Sequence, residues 1–253
     1  MSEVTNSAPS IHTIKEREEI TRDKDGNVFL SIQKSLIASV GTRPLSISFS
    51  ANGKFFAVAG GGGSISLWHV EKRRKAWQIQ LNDSVTTTAT AFGSIDNEQL
   101  LVTASNNGVV YVWDTHEKEM VAKFNHGFAV HSVEFSLGIV LVASAEWGGK
   151  IVLWDVSNKS IITTRKSKGP IRAVGFPPSG ALLASGNQDG TVRVCDAMTY
   201  EGILEFRGHK NSVETVEFSP DGKILASGGR DSAIYLWSER QVKQLLYYVM
   251  LIE

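Results

Sequence analysis

Three residues in the last part of the chain are of the types a serine hydrolase uses: His209, Ser227 and Asp231. A serine deprotonated by a histidine, itself oriented by a carboxylate, can attack an acyl carbon. Such a serine also needs an exposed Oγ and preorganised donors for the oxyanion. The surrounding stretch, GHKNSVETVEFSPDGKILASGGRDSAIYLW at 208–237, suggests neither. Buried together with Trp237, the same residues have a plainer use. The indole N–H needs an acceptor and the carboxylate needs a donor. The expected role is structural, and no catalytic residue is expected.

Other chemistry-bearing stretches read the same way. Gly60-Gly61-Gly62-Gly63-Ser64 is rich enough in glycine to cradle phosphate, but it lacks the Lys-Ser/Thr of a phosphate loop and no helix follows. Cys195 stands where a tryptophan recurs elsewhere, so a buried and inert thiol is expected. Lys72-Arg73-Arg74-Lys75, followed by Trp77, is a short basic run whose plain reading is a solvated turn. Its alternative is contact with phosphate, from RNA or a lipid head group. There are no paired carboxylates and no metal-ligand cluster, so no metal, no cofactor and no enzymatic activity are expected.

Composition narrows the class. Acidic and basic residues number 26 each, so the net charge is zero and no nucleic-acid footprint is predicted. One cysteine excludes an internal disulfide and fits a reducing compartment. The opening MSEVTNSAPS has no apolar core of a secretory signal, and Asn82-Asp83-Ser84 and Asn158-Lys159-Ser160 match the glycosylation pattern by chance. The longest apolar run, 245–252, is well short of the ~20 residues that span a bilayer. A cytoplasmic or nuclear location is expected.

The elements that hold these residues repeat. Trp68, Trp113, Trp154, Cys195 and Trp237 lie 45, 41, 41 and 42 residues apart. The segments ending on them align: SISLW, VVYVW, KIVLW, TVRVC and AIYLW. So do the segments preceding them: LSISFS, TATAFG, HSVEFS, RAVGFP and ETVEFS, then FFAVAG, LLVTAS, LVASAE, LLASGN and ILASGG. A further strand follows each, as in KAWQIQL, MVAKFN, IITTRK, GILEF and QLLYYV. Four-stranded antiparallel units of this size cannot shield their own faces. They must stack, and radial stacking gives a β-propeller.

The endings Trp113-Asp114 and Trp154-Asp155, with Gly208-His209 upstream of Trp237, resemble the WD-repeat family over roughly residues 40–248. The resemblance implies an all-β propeller that acts as a non-catalytic scaffold docking proteins or peptides. It implies that His209, Ser227, Asp231 and Trp237 form a structural hydrogen-bond network. In the other units that network is eroded, with Gly148 for the carboxylate beside His126 and Ser144, and Ser167 for the histidine beside Ser185 and Asp189. The fifth unit is therefore expected to be the most rigid. The family docks partners on the face formed by the turns before each carboxylate position, here Gly61, Asn106, Trp147, Gln188 and Arg230. Phe128, Arg172, Lys168 and Asn211 are expected on neighbouring loops. The candidate partner-binding residues are Trp147, Arg230, Gln188, Asn106, Phe128 and Arg172, because Trp and Arg are enriched at interface hot spots.

Residues 1–24 are polar and charge-dense and read as a flexible segment. The propeller is assigned to 25–253, with blades at about 41–84, 85–127, 128–168, 169–210 and 211–250, and a partial sixth unit within 27–40. Seven blades, the common number in the resembled family, would need about 300 residues. Three readings of the ends stay open: a small closed ring, a propeller completed by a partner or second copy, and a piece of a longer chain. Oligomeric state is not legible.

Overall fold

The structure, a computed structural model, describes residues 43–95, 98–136, 141–167 and 169–237, and the strands β1 (Glu19–Arg22) and β2 (Val28–Ser31). β1 and β2 pair antiparallel, so the charge-dense segment contributes a strand of its own. The strand expected at 36–40 and the fourth strand expected at 245–249 lie outside the described residues.

From Pro44 onward the chain builds sheet after sheet. The first holds β3 (Pro44–Phe49), β4 (Phe55–Gly60), β5 (Ser64–His69) and β6 (Arg74–Gln80). The second holds β7 (Thr87–Ile95), β8 (Glu98–Ser105), β9 (Val109–Asp114) and β10 (Met120–Asn125). The third holds β11 (Val130–Ser136), β12 (Leu141–Glu146), β13 (Lys150–Asp155) and β14 (Ser160–Lys166). The fourth holds β15 (Ile171–Gly175), β16 (Leu182–Asn187), β17 (Thr191–Asp196) and β18 (Gly202–Arg207). In the fifth, β19 (Val213–Phe218), β20 (Leu225–Gly229) and β21 (Ile234–Trp237) are described. Every pairing is an antiparallel meander, so each sheet is one propeller blade.

The core lies between blades. Successive side chains on a strand face opposite ways, so each central strand feeds two cores. On β12, Val142 packs toward blade two with Phe124 and Trp154. Ala143 and Ala145 face Val174, Leu183 and Cys195 of blade four. Further apolar clusters join blades one and two around Leu67, Leu101 and Trp113, and blades four and five around Phe206, Val216 and Leu225. Recurring aromatic stacks key the seams: Phe124 on Trp154 at 4.6 Å and Phe206 on Trp237 at 4.7 Å. The outward faces of blades one and five carry exposed apolar side chains, Ile47 and Phe49 on one, Ile234 and Leu236 on the other.

One irregularity recurs in every blade. The first strand slips register near its start, between Pro44 and Ser46, Thr87 and Ala89, Val130 and Ser132, Ile171 and Ala173, and Val213 and Thr215. The extra residue in each β-bulge is Leu45, Thr88, His131, Arg172 or Glu214. A bulge breaks the alternation and re-aims one side chain. These five leave their sheets at the end where the second and third strands turn.

Candidate functional site

Blade five holds the network assembled. Trp237 Nε1 donates to Ser227 Oγ at 3.0 Å, Ser227 Oγ lies 2.9 Å from His209 Nε2, and His209 Nδ1 lies 2.9 Å from Asp231 Oδ1. The backbone N–H groups of Lys210 and Ala233 also donate to Asp231. The His209 hydrogen bond, helped by these donors, holds the Asp231 carboxyl down to about 2. Ser227 is buried and shared between an indole and an imidazole, which is the geometry of a brace.

The other blades rebuild the brace from different residues. Blade three is not missing its carboxylate: His126 Nδ1 lies 3.0 Å from Glu146 Oε2, and Trp154 Nε1 donates to Ser144 Oγ at 2.7 Å. Glu146 stands where blade five has Gly229, and Gly148 where blade five has Asp231. A Cβ on Gly229 would stand 2.6 Å from His209 Nδ1, and one on Gly148 would stand 2.9 Å from Glu146 Oε1. Carboxylate and glycine have exchanged places. Blade three thus has a carboxylate that matching by position overlooks, but its imidazole Nε2 lies 3.3 Å from the Ser144 carbonyl oxygen, where that of blade five meets the serine hydroxyl. Burial lowers the pKa of His126 despite this partner.

In blade four the buried Asn187 does the bridging, donating Nδ2 to Thr191 O at 3.1 Å and Ser185 O at 3.2 Å. Asp189 turns outward to Arg193 at 2.7 Å. In blade two Trp113 donates to Thr103 Oγ1 at 3.0 Å, while Asp83 is exposed. In blade one Trp68 donates to Ser66 Oγ at 2.9 Å, on its own strand.

The residues expected to meet partners sit on the turn end of the blades. In four blades the residue before the carboxylate position donates its backbone N–H to the loop ahead of its own blade: Gly61 to Arg43 O, Asn106 to Thr86 O, Gln188 to Pro170 O and Arg230 to Ser212 O. That bond fixes the turn and leaves the side chain outside. Trp147 is 40% exposed and Phe128 71% exposed. Asn106 spends its Oδ1 on the N–H of Thr86 at 2.8 Å. Gln188 is exposed. Lys168 lies outside the described residues.

Three of the candidates come together, and the bulges explain how. Arg172 is not on a loop but is the bulged second residue of β15, and its guanidinium lies 3.6 Å over the Trp147 ring. His131, bulged from β11, stands 5.4 Å from the same ring. Glu214, bulged from β19, takes Arg230 Nε at 3.0 Å and Ser212 Oγ at 2.7 Å, with Arg172 Nε at 3.5 Å. Burial lowers the pKa of His131, and the charge of Arg172 adds to this. The result is one chain of contacts, His131–Trp147–Arg172–Glu214–Arg230, across blades three, four and five. Sequence reasoning missed His131 and Glu214. Both hold the second place of an aligned first strand, as Arg172 does, and that shared place is the signal.

The basic run occupies the opposite end of its blade. Arg74 and Lys75 begin β6, whereas Arg165 and Lys166 end β14, so the two runs lie at opposite ends of equivalent strands. Arg74, Lys75 and Trp77 line a groove of about 690 Å³ shared with Asp114, His116, Glu117 and Lys118. Carboxylates therefore stand beside the cations. Among the described residues, no cluster of His, Cys, Asp and Glu could hold a metal ion, and no helix is long and apolar enough to cross a membrane.

Comparison with known proteins agrees with the repeats. A family model for "WD domain, G-beta repeat" matches residues 33–69, 158–196 and 201–238. Telomerase protein component 1 of Rattus norvegicus is 26% identical over 201 residues, covering 64% of this chain and 8% of that protein. Protein NEDD1 of Bos taurus is 30% identical over 102 residues, covering 39% of this chain and 16% of its own length. The U3 small nucleolar RNA-associated protein 21 homolog of Schizosaccharomyces pombe is 26% identical over 174 residues, or 66% of this chain and 19% of that protein. The chain thus spans less than a fifth of the length of each of these relatives. These matches support a general role in protein interaction. Five aligned blades, braced from tryptophan to hydroxyl in four of them, agree with these matches: the chain carries WD repeats on a β-propeller fold.

Proposed function

We propose that the chain is a non-catalytic adaptor that docks a protein or peptide partner on the turn end of blades three to five. The observation carrying this reading is the half-open Trp147 ring, with Arg172 laid on it and Arg230 joined to Arg172 through Glu214. A large aromatic beside Gly148 and Gly149 has no core slot, and a guanidinium stacked on it is rigid before any partner arrives. Preorganised Trp and Arg side chains are the kind that dominate interface energy. The serine, histidine and carboxylate that suggest catalysis are used up in bracing the blade, which supports a non-enzymatic role.

The test uses the full chain and an array of random twelve-residue peptides. Trp147→Ala with Arg230→Ala is expected to abolish peptide binding while the thermal melt moves by no more than a few degrees. Retained binding, or loss of folding in the double variant, overturns the assignment. Phosphate contact through Lys72–Lys75 is the competing reading. It predicts binding that falls steeply with salt and survives the double substitution.

A further inference from the structure

We infer that the Trp147–Arg172–Arg230 surface takes an acidic peptide, seating one carboxylate side chain against Arg172 and Arg230 and an apolar side chain on Trp147. This rests on the docking reading above and names the partner's chemistry.

The guanidinium of Arg172 carries the argument. Its side chain is only 14% exposed, and one face is covered by Trp147 at 3.6 Å. Its Nε is buried and has no hydrogen-bond partner among the described residues. The nearest carboxylate is Glu214 at 3.5 Å, and that oxygen already accepts from Arg230 Nε and Ser212 Oγ. A cation so enclosed is costly unless its donors are satisfied. Burial, with the charge of Arg230, holds the Arg172 pKa below the usual guanidinium value even though Glu214 opposes this.

The local charge points the same way. Arg172 and Arg230 share one carboxylate, Glu214, which is also held by Ser212, while Asp231 and Glu146 are committed to His209 and His126. An incoming carboxylate is met by the guanidinium of Arg230, whose side chain is 57% exposed, with the charge of Arg172 behind it, because guanidinium edges and carboxylates match in shape and charge. A basic partner meets two arginines and is repelled. Next to the charged pair lies the open part of Trp147, and the 71% exposed Phe128 belongs to the same blade as that tryptophan. Val130 pairs with Glu146, so Phe128 and Trp147 leave blade three at the same end. An acidic residue flanked by a leucine or phenylalanine satisfies both halves of the surface.

The test runs on the same array, with binders resynthesised as Glu, Gln and phosphoserine versions. Replacing the key Glu by Gln is expected to weaken binding about tenfold or more, the size of one charge-assisted hydrogen bond. Arg172→Met, which keeps the cover on Trp147, is expected to erase the Glu-over-Gln preference. Glu214→Gln is expected to tighten Glu peptides several-fold, a change that a merely structural role for Glu214 does not produce. Binding that is indifferent to Glu or Gln but is lost with Trp147→Ala and Arg230→Ala overturns the acidic assignment and leaves the docking reading standing. Absence of any array binder overturns both. A phosphoserine peptide that outbinds its Glu version, or a uridine dodecamer that competes as well as the Glu peptide does, overturns the carboxylate assignment.

Discussion

His126 and Glu146 meet in blade three at 3.0 Å, Nδ1 to Oε2, as His209 and Asp231 meet in blade five at 2.9 Å. The carboxylate reaches the imidazole from a position two residues earlier, and a longer side chain makes up the difference. Gly148, at the place of the missing aspartate, is what leaves room for it.

That exchange predicts a double-mutant cycle. Glu146→Gly alone leaves buried His126 without its partner and is expected to cost about 1–3 kcal/mol. Gly148→Asp alone crowds Glu146 Oε1 and sets two carboxylates on one imidazole, so it too is expected to destabilise. The double substitution restores the blade-five pattern and is expected to recover most of the loss. Urea denaturation of all four proteins measures the coupling, and simple additivity refutes the exchange.

How much of this was legible in the sequence follows from the same residues. Trp68, Trp113, Trp154 and Trp237 mark the blade period because each must find a hydroxyl and a seam, so their spacing is under direct constraint. The brace of blade three was hidden because matching by position compares Gly148 with Asp231 and stops there. Setting Glu146 against Gly229 in the same comparison exposes it. The Arg172–Glu214 pairing was illegible for another reason. It joins two blades through two bulges, and a bulge reverses which way a side chain faces without leaving a fixed residue type behind.

Glu134 makes stability depend on pH. Burial on β11, with the charge of Glu217 second, pushes its carboxyl up to about 8. The folded state therefore keeps a proton that the unfolded chain loses near pH 4.3. Its contribution to stability is fully present below that pH and is lost as pH rises toward 8. Asp231 acts with the opposite sign: held down to about 2, it contributes above about pH 4, and that contribution disappears as pH falls through 2. Melting curves of Glu134→Gln are expected to flatten the decline between pH 5 and 8 and to raise Tm by several degrees at pH 8. An unchanged pH profile removes Glu134 as its source.

Cys195 is expected to be silent in the native protein. It is buried, its Sγ–H points to Leu183 O at 3.5 Å, and burial pushes the thiol up to about 12, with the charge of Asp196 adding to this. The thiolate is the reactive form, so alkylation at pH 8 is expected to track unfolding. Iodoacetamide labelling read by mass spectrometry checks this. Rapid modification without denaturant contradicts the packing at the seam of blades three and four.

The bulges and the pinned turns have a consequence beyond this one surface. At the turn end of every blade one side chain is thrown outward by a bulge: Leu45, Thr88, His131, Arg172 or Glu214. Another sits on a turn that, in four of the five blades, is tied down by a main-chain bond from that residue's own N–H. Exposed side chains at these places, Gln188 and Arg230 among them, stand outside the apolar clusters that join the blades. The molecule thus has a writable rim on a fixed hub, where the exposed letters can change while the seams between blades keep theirs.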